Sequence, residues 1–351
     1  MALHQLIQRL LLIGAHLESM PPARTPHAPK ALQPLIDAIA ESHRRFDERA
    51  LHFGHRYRSG FWAIYLLSAI AVLCAVLPLA LGWDSAYHLL HPYAGAWAIA
   101  EVVVIGTVSA IYWQGHRHDW QGQWLRARTT AELTWYLPMM APLLDFAAPA
   151  EETNWYLRVF DPGQHLRSAD DVAALCALTE PLARDLLATA WSDPAFVASY
   201  AGWTMDILEQ QRHYHHHVAI KQHALLHRVH RVNSVLFALT AVGALLHLLI
   251  HTVWLSLVTT FFPALGASLH GALAQSEAYR LNTTSERLVA ELKGAIDRIR
   301  AVLGAGGAGG AGGAGGDVGA LKASIEAAMA LILEEHQDWN LLVRPHHLPL
   351  A

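Results

Sequence analysis

Residues 232–276 form an uncharged stretch, 45 consecutive positions without Asp, Glu, Lys or Arg. As a helix this stretch measures about 67 Å, roughly twice the hydrocarbon thickness of a bilayer. We therefore expect two membrane spans here, joined by a turn near His251. His247, His251 and Trp254 are the residues of this region that suit a membrane interface.

Two further apolar stretches precede it. Residues 61–81 contain no charged side chain, and residues 94–113 contain one, Glu101. Each is long enough to cross the hydrocarbon core as a helix, and the Gly, Asp and Pro residues between them are typical of a turn. The sequence thus predicts a first transmembrane hairpin over 61–113 and a second over 232–273.

The 25 Lys and Arg residues fall into three segments, 1–60, 114–231 and 274–351, and the two predicted outer turns contain none. Basic residues near span ends favour the cytoplasmic side. We therefore expect a multi-pass protein of the bacterial inner (plasma) membrane with both termini cytoplasmic. The charged share of 15% is well below the roughly 25% of soluble domains, which argues against an ordinary cytosolic enzyme.

Several function classes lack their usual signals. A net charge of −4 without a dense Lys/Arg block disfavours nucleic-acid partners. Cys74 and Cys176 are too few for a disulfide framework or a cysteine zinc site. The chain has no GxxxxGK[ST], GxSxG or HExxH motif, and its GxGxxG match lies in a low-complexity Gly/Ala run. We expect no enzymatic activity and no cofactor.

Apolar residues at helical spacing predict an all-α membrane protein with two transmembrane hairpins and long cytoplasmic helical arms. A helix is expected from about His116 to Leu137, where Pro138 ends it. Another begins at Pro194 and continues through the third span to Ile250. The predicted segments are 1–60 (cytoplasmic), 61–113 (first hairpin), 114–231 (cytoplasmic helices), 232–273 (second hairpin), 274–303 (cytoplasmic helix), 304–316 (Gly/Ala linker) and 317–351 (C-terminal cytoplasmic helix).

The helix after the fourth span carries an apolar seam at intervals of three and four residues. Such a seam requires a covering helix, and the segment after the linker offers apolar residues at similar spacing. The seam residues are Leu288, Leu292, Ile296, Ile299 and Leu303, and the candidate partners are Leu321, Ile325, Ala328, Ile332 and Trp339.

Glu101 is the one acidic or basic residue inside a predicted span, where a carboxylate is costly unless it faces water or a partner. It is the candidate pore or gate residue. The structural alternative is a neutral, hydrogen-bonded side chain that holds two helices together. His247, His251 and His270 are candidate partners by depth.

Histidines are unusually frequent, 24 in 351 residues, and several form a stripe on one predicted helix. His223 and His227, at positions i and i+4, can chelate zinc or nickel with ligands from another helix. Titration of the stripe near neutral pH would make it a pH sensor. The third interpretation is a polar helix face without a special role. Arg128 and Glu132, also four residues apart, are expected to form a structural ion pair.

Four segments carry a resemblance to a known family: HRYRSGF (55–61), WLRARTTAELTW (124–135), FFPALGASLHGALAQSEAYRLN (261–282) and EEHQDWNLLV (334–343). Together they resemble the SLATT-type (SMODS and SLOG-associating) transmembrane effectors of bacterial conflict systems, in their four-span form. The resemblance covers about residues 46–351.

The resemblance implies a homo-oligomeric membrane effector that permeabilises the inner membrane on a sensor or nucleotide signal, in antiphage defence. Many members carry a sensor domain upstream, and 1–60 is too short for a nucleotide-binding fold. We therefore expect that sensing is done by a separate protein, by the helical cytoplasmic part, or by a segment encoded upstream of an incorrectly assigned start codon. The alternatives are an ion or metal transporter and a membrane-anchored interaction scaffold.

Overall fold

The computed structural model describes residues 2–15, 26–83, 93–143, 190–250, 252–307 and 318–342. Within these ranges the chain is helical, with short turns and no strand. The helices are α1 (Leu3–Leu11), α2 (Gln33–Ala80), α3 (Ala94–Arg117), α4 (Trp120–Met140), α5 (Pro194–Leu249), α6 (Val253–Gln275), α7 (Ala278–Gly307) and α8 (Val318–Leu342).

Two helices are far longer than the others. α2 has 48 residues and α5 has 56, so they measure about 72 Å and 84 Å. Pro194 occupies the first turn of α5 and the Asp193 carboxylate accepts from the Ala195 N–H at 2.9 Å, a favourable helix start. The predicted continuous helix from Pro194 into the third apolar stretch is confirmed. α2 begins well before the apolar stretch 61–81, a continuation that the sequence analysis did not predict.

The α3–α4 boundary corrects one prediction. Instead of starting near His116, α4 begins at Trp120, because the chain turns at Asp119, a left-handed residue with φ of 43°. The Asp119 carboxylate accepts from the Gly122 N–H at 3.1 Å and thereby caps α4. Pro138 lies inside the last turn and does not end the helix.

In the part of the chain that the structure describes, four helices are long and apolar enough to cross a membrane: α2, α3, α5 and the helix that begins at Val253. α2 packs against α3 and α6, and α6 packs against α5. The contacts Trp83–Trp97 and Gly60–Ile111 show that α3 runs antiparallel to α2. In the described part of the chain α3 and α5 make no comparable contact, so the four helices form an open layer with α3 and α5 at its edges.

Most buried apolar residues form two clusters. The distal core joins the start of α2, the end of α4, the start of α5, and α7 and α8. The junction core joins α1, the middle of α2, the start of α4, and parts of α5 and α6, directly beside the apolar layer. α2 and α5 contribute to both cores and so connect the distal part with the layer.

Four residues of the predicted α7 seam are buried in the distal core, and the fifth, Leu303, is partly buried against it. Leu321, Ile325, Ala328 and Ile332 of α8 lie in the same core, as expected. The main neighbour of α7 is α5, however, a pairing that the sequence analysis did not name. The linker residues 308–316 and the side chain of Trp339 are not among the parts that the structure describes.

Candidate functional site

Glu101 lies on α3, an edge helix of the layer, and is partly buried. It interacts electrostatically with Cys74 of α2, and the described residues give it no hydrogen bond or ion pair. Of its candidate partners, the His270 ring lies 6.5 Å from that of His230, and His247 is exposed. His251 is outside the described residues. The pore or gate role of Glu101 stays a prediction.

Arg128 and Glu132 form an ion pair along α4. Burial opposes the charge of Arg128, but the Glu132 carboxylate, together with Tyr214, Tyr136 and Asp47, raises the pKa of this guanidinium above its usual value. Arg128 is therefore charged, and the ion pair lies where α4 meets α2 and α5.

His223 and His227 lie on the exposed face of α5, with ring centroids 6.1 Å apart in an edge-on arrangement. The opposite face of the helix is buried through Leu225 and Val229. Among the described residues no group of three or more His, Cys, Asp or Glu side chains is placed to hold a metal ion. The metal hypothesis gains no third ligand from this part of the chain.

A basic cluster that was not predicted from the sequence lies beside the junction core. It is formed by His4 of α1, His55 and Arg58 of α2, and Lys221 of α5. The His4 ring is buried, its Nδ1 lies 3.2 Å from Ser59 Oγ, and its centroid lies 5.3 Å from that of His55. These contacts attach α1 to α2 just before the apolar stretch 61–81 begins.

The cluster is electrostatically self-repulsive. Burial, with the charges of Arg58, His55 and Lys221, lowers the pKa of His4 from 6.5 to about 4. Burial also lowers the pKa of Arg58 and of Lys221, and for Lys221 the charges of Arg58 and Arg9 act in the same direction. At neutral pH the cluster therefore contains a neutral His4 beside the guanidinium group of Arg58 and the amine of Lys221.

Aromatic packing holds Arg58 in place. Its Nε donates to the Gly54 carbonyl at 3.0 Å, and its guanidinium lies 5.4 Å from the Trp124 ring. Trp124 also stacks on Tyr57. A side chain at position 54 would have its Cβ 2.8 Å from Trp124 Nε1, so glycine permits this close approach of α4 to α2.

Part of this cluster was visible in the sequence, because His55 and Arg58 belong to HRYRSGF ahead of the first apolar stretch. His4 and Lys221 were not, since only the packing of α1 on both α2 and α5 brings them there. The arrangement offers cationic donors for an anion at the edge of an apolar layer.

Comparison of the chain with protein-family models, with curated proteins and with solved structures gives no match.

Proposed function

We propose that this protein is a four-span effector of the bacterial inner membrane, with both termini in the cytoplasm, that assembles and opens a regulated pore on a sensor or nucleotide signal, in antiphage defence. The apolar layer forms two transmembrane hairpins, α2–α3 and α5–α6. The distal core and its helices form the cytoplasmic part. The resemblance to SLATT-type effectors supports the defence role.

The observation that carries the proposal is the open apolar layer. Its edge helices expose large apolar side chains, including Val103 (59%), Phe237 (76%) and Leu249 (80%). Exposed apolar surface of this extent marks a membrane or subunit contact. Because a single row of four helices cannot enclose a channel, a pore requires several copies of the chain, side by side through α3 and α5.

The two long helices provide the mechanical connection. Each contributes to the distal core and to the apolar layer, so rotation or association of the distal part moves the spans as well. A sensor protein or nucleotide drives opening only by binding the open arrangement more tightly than the closed one. Glu101, on edge helix α3, then lies at a subunit contact or on the pore lining.

The test is membrane potential in bacteria that express the chain, followed with a voltage-sensitive dye at matched membrane levels. Wild type should depolarise the cells, and Glu101→Gln should weaken this effect. Glu286→Gln, which removes an exposed carboxylate from α7, is the matched control and should behave as wild type. Cells of the native bacterium that stay fully polarised with the wild-type chain abundant in their membranes, both before and during phage infection, would contradict the pore.

A further inference from the structure

The basic cluster has no acidic counter-charge in the part of the chain that the structure describes. Among the described residues Arg58 and Lys221 have no carboxylate partner, and Arg58 donates to the protein only through Nε. Both Nη groups of Arg58 and the ammonium group of Lys221 therefore remain available as donors. Partly buried cations without a partner are unfavourable, and an anion placed between them would remove that penalty.

An apolar stripe lies next to the cluster on α1. The stripe consists of Leu3, Leu6 and Leu10 of α1 and of Ile13 in the turn that follows it, spaced three, four and three residues apart, with exposed fractions between 41% and 67%. Arg9, also exposed, borders the stripe. The opposite side of α1 packs on α2 and α5 through His4 and Ile7. One face of α1 is thus anchored to the protein, and a second apolar face is left uncovered by the described residues.

The cluster and the stripe lie at one level of the molecule. His4 contacts Ser59, and the apolar stretch of α2 starts two residues later at Phe61. In a bilayer this level is the boundary between headgroups and acyl chains. A short helix with an apolar face and a flanking Arg is typical of a helix that lies at this boundary.

We propose that His4, Arg58 and Lys221 form a binding site for the phosphate group of an anionic phospholipid of the cytoplasmic leaflet. Arg58 Nη groups and Lys221 Nζ donate to the phosphate oxygens, and the acyl chains pack along the α1 stripe. This inference rests on the membrane placement proposed above and does not require a pore.

A soluble phosphate compound offers the same anionic chemistry. The phospholipid is favoured because the cationic donors and the uncovered apolar stripe are adjacent, so one molecule with an anionic head and apolar tails satisfies both. A soluble anion would leave the stripe of α1 uncovered.

The experiment titrates the full-length chain in neutral detergent with short-chain phosphatidylglycerol or phosphatidylcholine, with bound lipid counted by native mass spectrometry. Wild type should retain phosphatidylglycerol in preference to phosphatidylcholine. Arg58→Gln with Lys221→Gln should weaken phosphatidylglycerol binding roughly tenfold or more, since two charge-assisted contacts are lost. Lys221→Gln alone, which leaves the Arg58–Trp124 packing in place, should shift binding in the same direction.

Lys293→Gln with Arg298→Gln removes the same charge from exposed positions of α7 and should leave lipid binding unchanged. Equal phosphatidylglycerol binding by wild type and the Arg58/Lys221 variant would overturn the proposal. Leu6→Ser with Leu10→Ser should weaken phosphatidylglycerol binding and leave binding of inorganic phosphate unchanged.

If inorganic phosphate instead occupies the site and the stripe variant binds phosphatidylglycerol as wild type does, the ligand is soluble and the lipid proposal is wrong. Because lipid binding is measured in detergent, loss of this inference is separable from loss of the pore. If the chain depolarises cells but shows no lipid preference, the proposed lipid site is wrong and the proposed pore is unaffected.

Discussion

The distal part and the apolar layer are both built from long helices, but they treat apolar side chains in opposite ways. In the distal part the seam residues Leu292 and Ile299 are nearly inaccessible, at 1% and 0%. In the layer, Phe237 and Leu249 are among the most exposed large apolar residues of the described chain, at 76% and 80%. The same α5 contributes its start to the first region and its end to the second.

This difference in the exposure of apolar side chains is the one expected if the distal part lies in water and the apolar layer lies in lipid. A helix in water buries its apolar stripe and exposes polar groups, as the distal part does. A helix in lipid exposes apolar side chains, because hydrocarbon does not penalise them, and keeps its backbone hydrogen bonds internal. The boundary between the two regimes falls at the junction core, where the basic cluster and Trp124 lie.

The largest effect is expected in the distal core. Leu292→Ala should lower the free energy of unfolding of this part by about 2–5 kcal/mol, because it removes a buried side chain and leaves a cavity. Chemical denaturation followed by tryptophan fluorescence measures it. Phe237→Ala, an equally apolar truncation in the layer, should change stability by less than about 0.5 kcal/mol. Equal losses would erase the proposed contrast between the two regions.

An added charge should have different effects on the surface of the apolar layer and on the surface outside it. Val103→Arg places a guanidinium at the middle of α3, which costs about 2.5–3.5 kcal/mol of membrane insertion at a helix centre. The amount of chain in the membrane fraction should fall accordingly. Leu51→Arg, at a 47% exposed position of α2 outside the apolar stretch, should have no such effect. Normal insertion of the Val103→Arg chain would show that α3 faces water.

Helix contacts inside the layer can be tested with glycine substitutions. A Cβ at Gly271 of α6 would collide with the Tyr65 ring of α2, whereas none of the surrounding atoms lies within 4 Å of a Cβ at Gly106. Gly271→Ala should therefore destabilise the α2–α6 contact by about 1–3 kcal/mol. Thermal unfolding in detergent should show a lower midpoint for Gly271→Ala and an unchanged one for Gly106→Ala. Identical midpoints would mean that α2 and α6 do not pack as described.

The smallest effect concerns α1 and pH. The pKa of His4 is about 4 when α1 is packed, below its ordinary 6.5, so the packed state binds fewer protons than the released state between these values. Attachment of α1 is therefore fully present above pH 6.5 and weakens as pH falls towards 4. Arg58, His55 and Lys221 all add to this repulsion. The protection factor of α1 in hydrogen exchange, which corrects for the intrinsic pH dependence of exchange, should fall as pH is lowered over this range. A His4→Asn chain should lose the part of that fall due to His4 and keep the part due to His55, whose pKa burial also lowers.

Several features followed from local sequence patterns. The uncharged stretches predicted the apolar helices, Pro194 predicted the start of α5, and the three- and four-residue spacing predicted the buried seam of α7. Each of these signals lies within one segment of the chain, where helical period and end residues determine the outcome.

Other features depended on contacts between distant segments. The helical extension of α2 before residue 61 is stabilised by packing on α4. The turn at Asp119 depends on a left-handed backbone conformation, and no proline or glycine at that position indicated it. The basic cluster needs α1 and α5 to meet α2, so His4 and Lys221 gave no local signal. The roles of Glu101, His223 and His227 stay predictions.

The central claim is that the apolar layer spans the inner membrane with the distal part in the cytoplasm. The most direct measurement is labelling of single cysteines in a Cys74→Ser, Cys176→Ser background with a membrane-impermeant maleimide, before and after lysis of bacterial spheroplasts. Cysteines at Tyr93 and Ile250 should label on intact spheroplasts, whereas cysteines at Leu51 and Arg298 should label only after lysis. Labelling of all four positions from the same side would contradict the account.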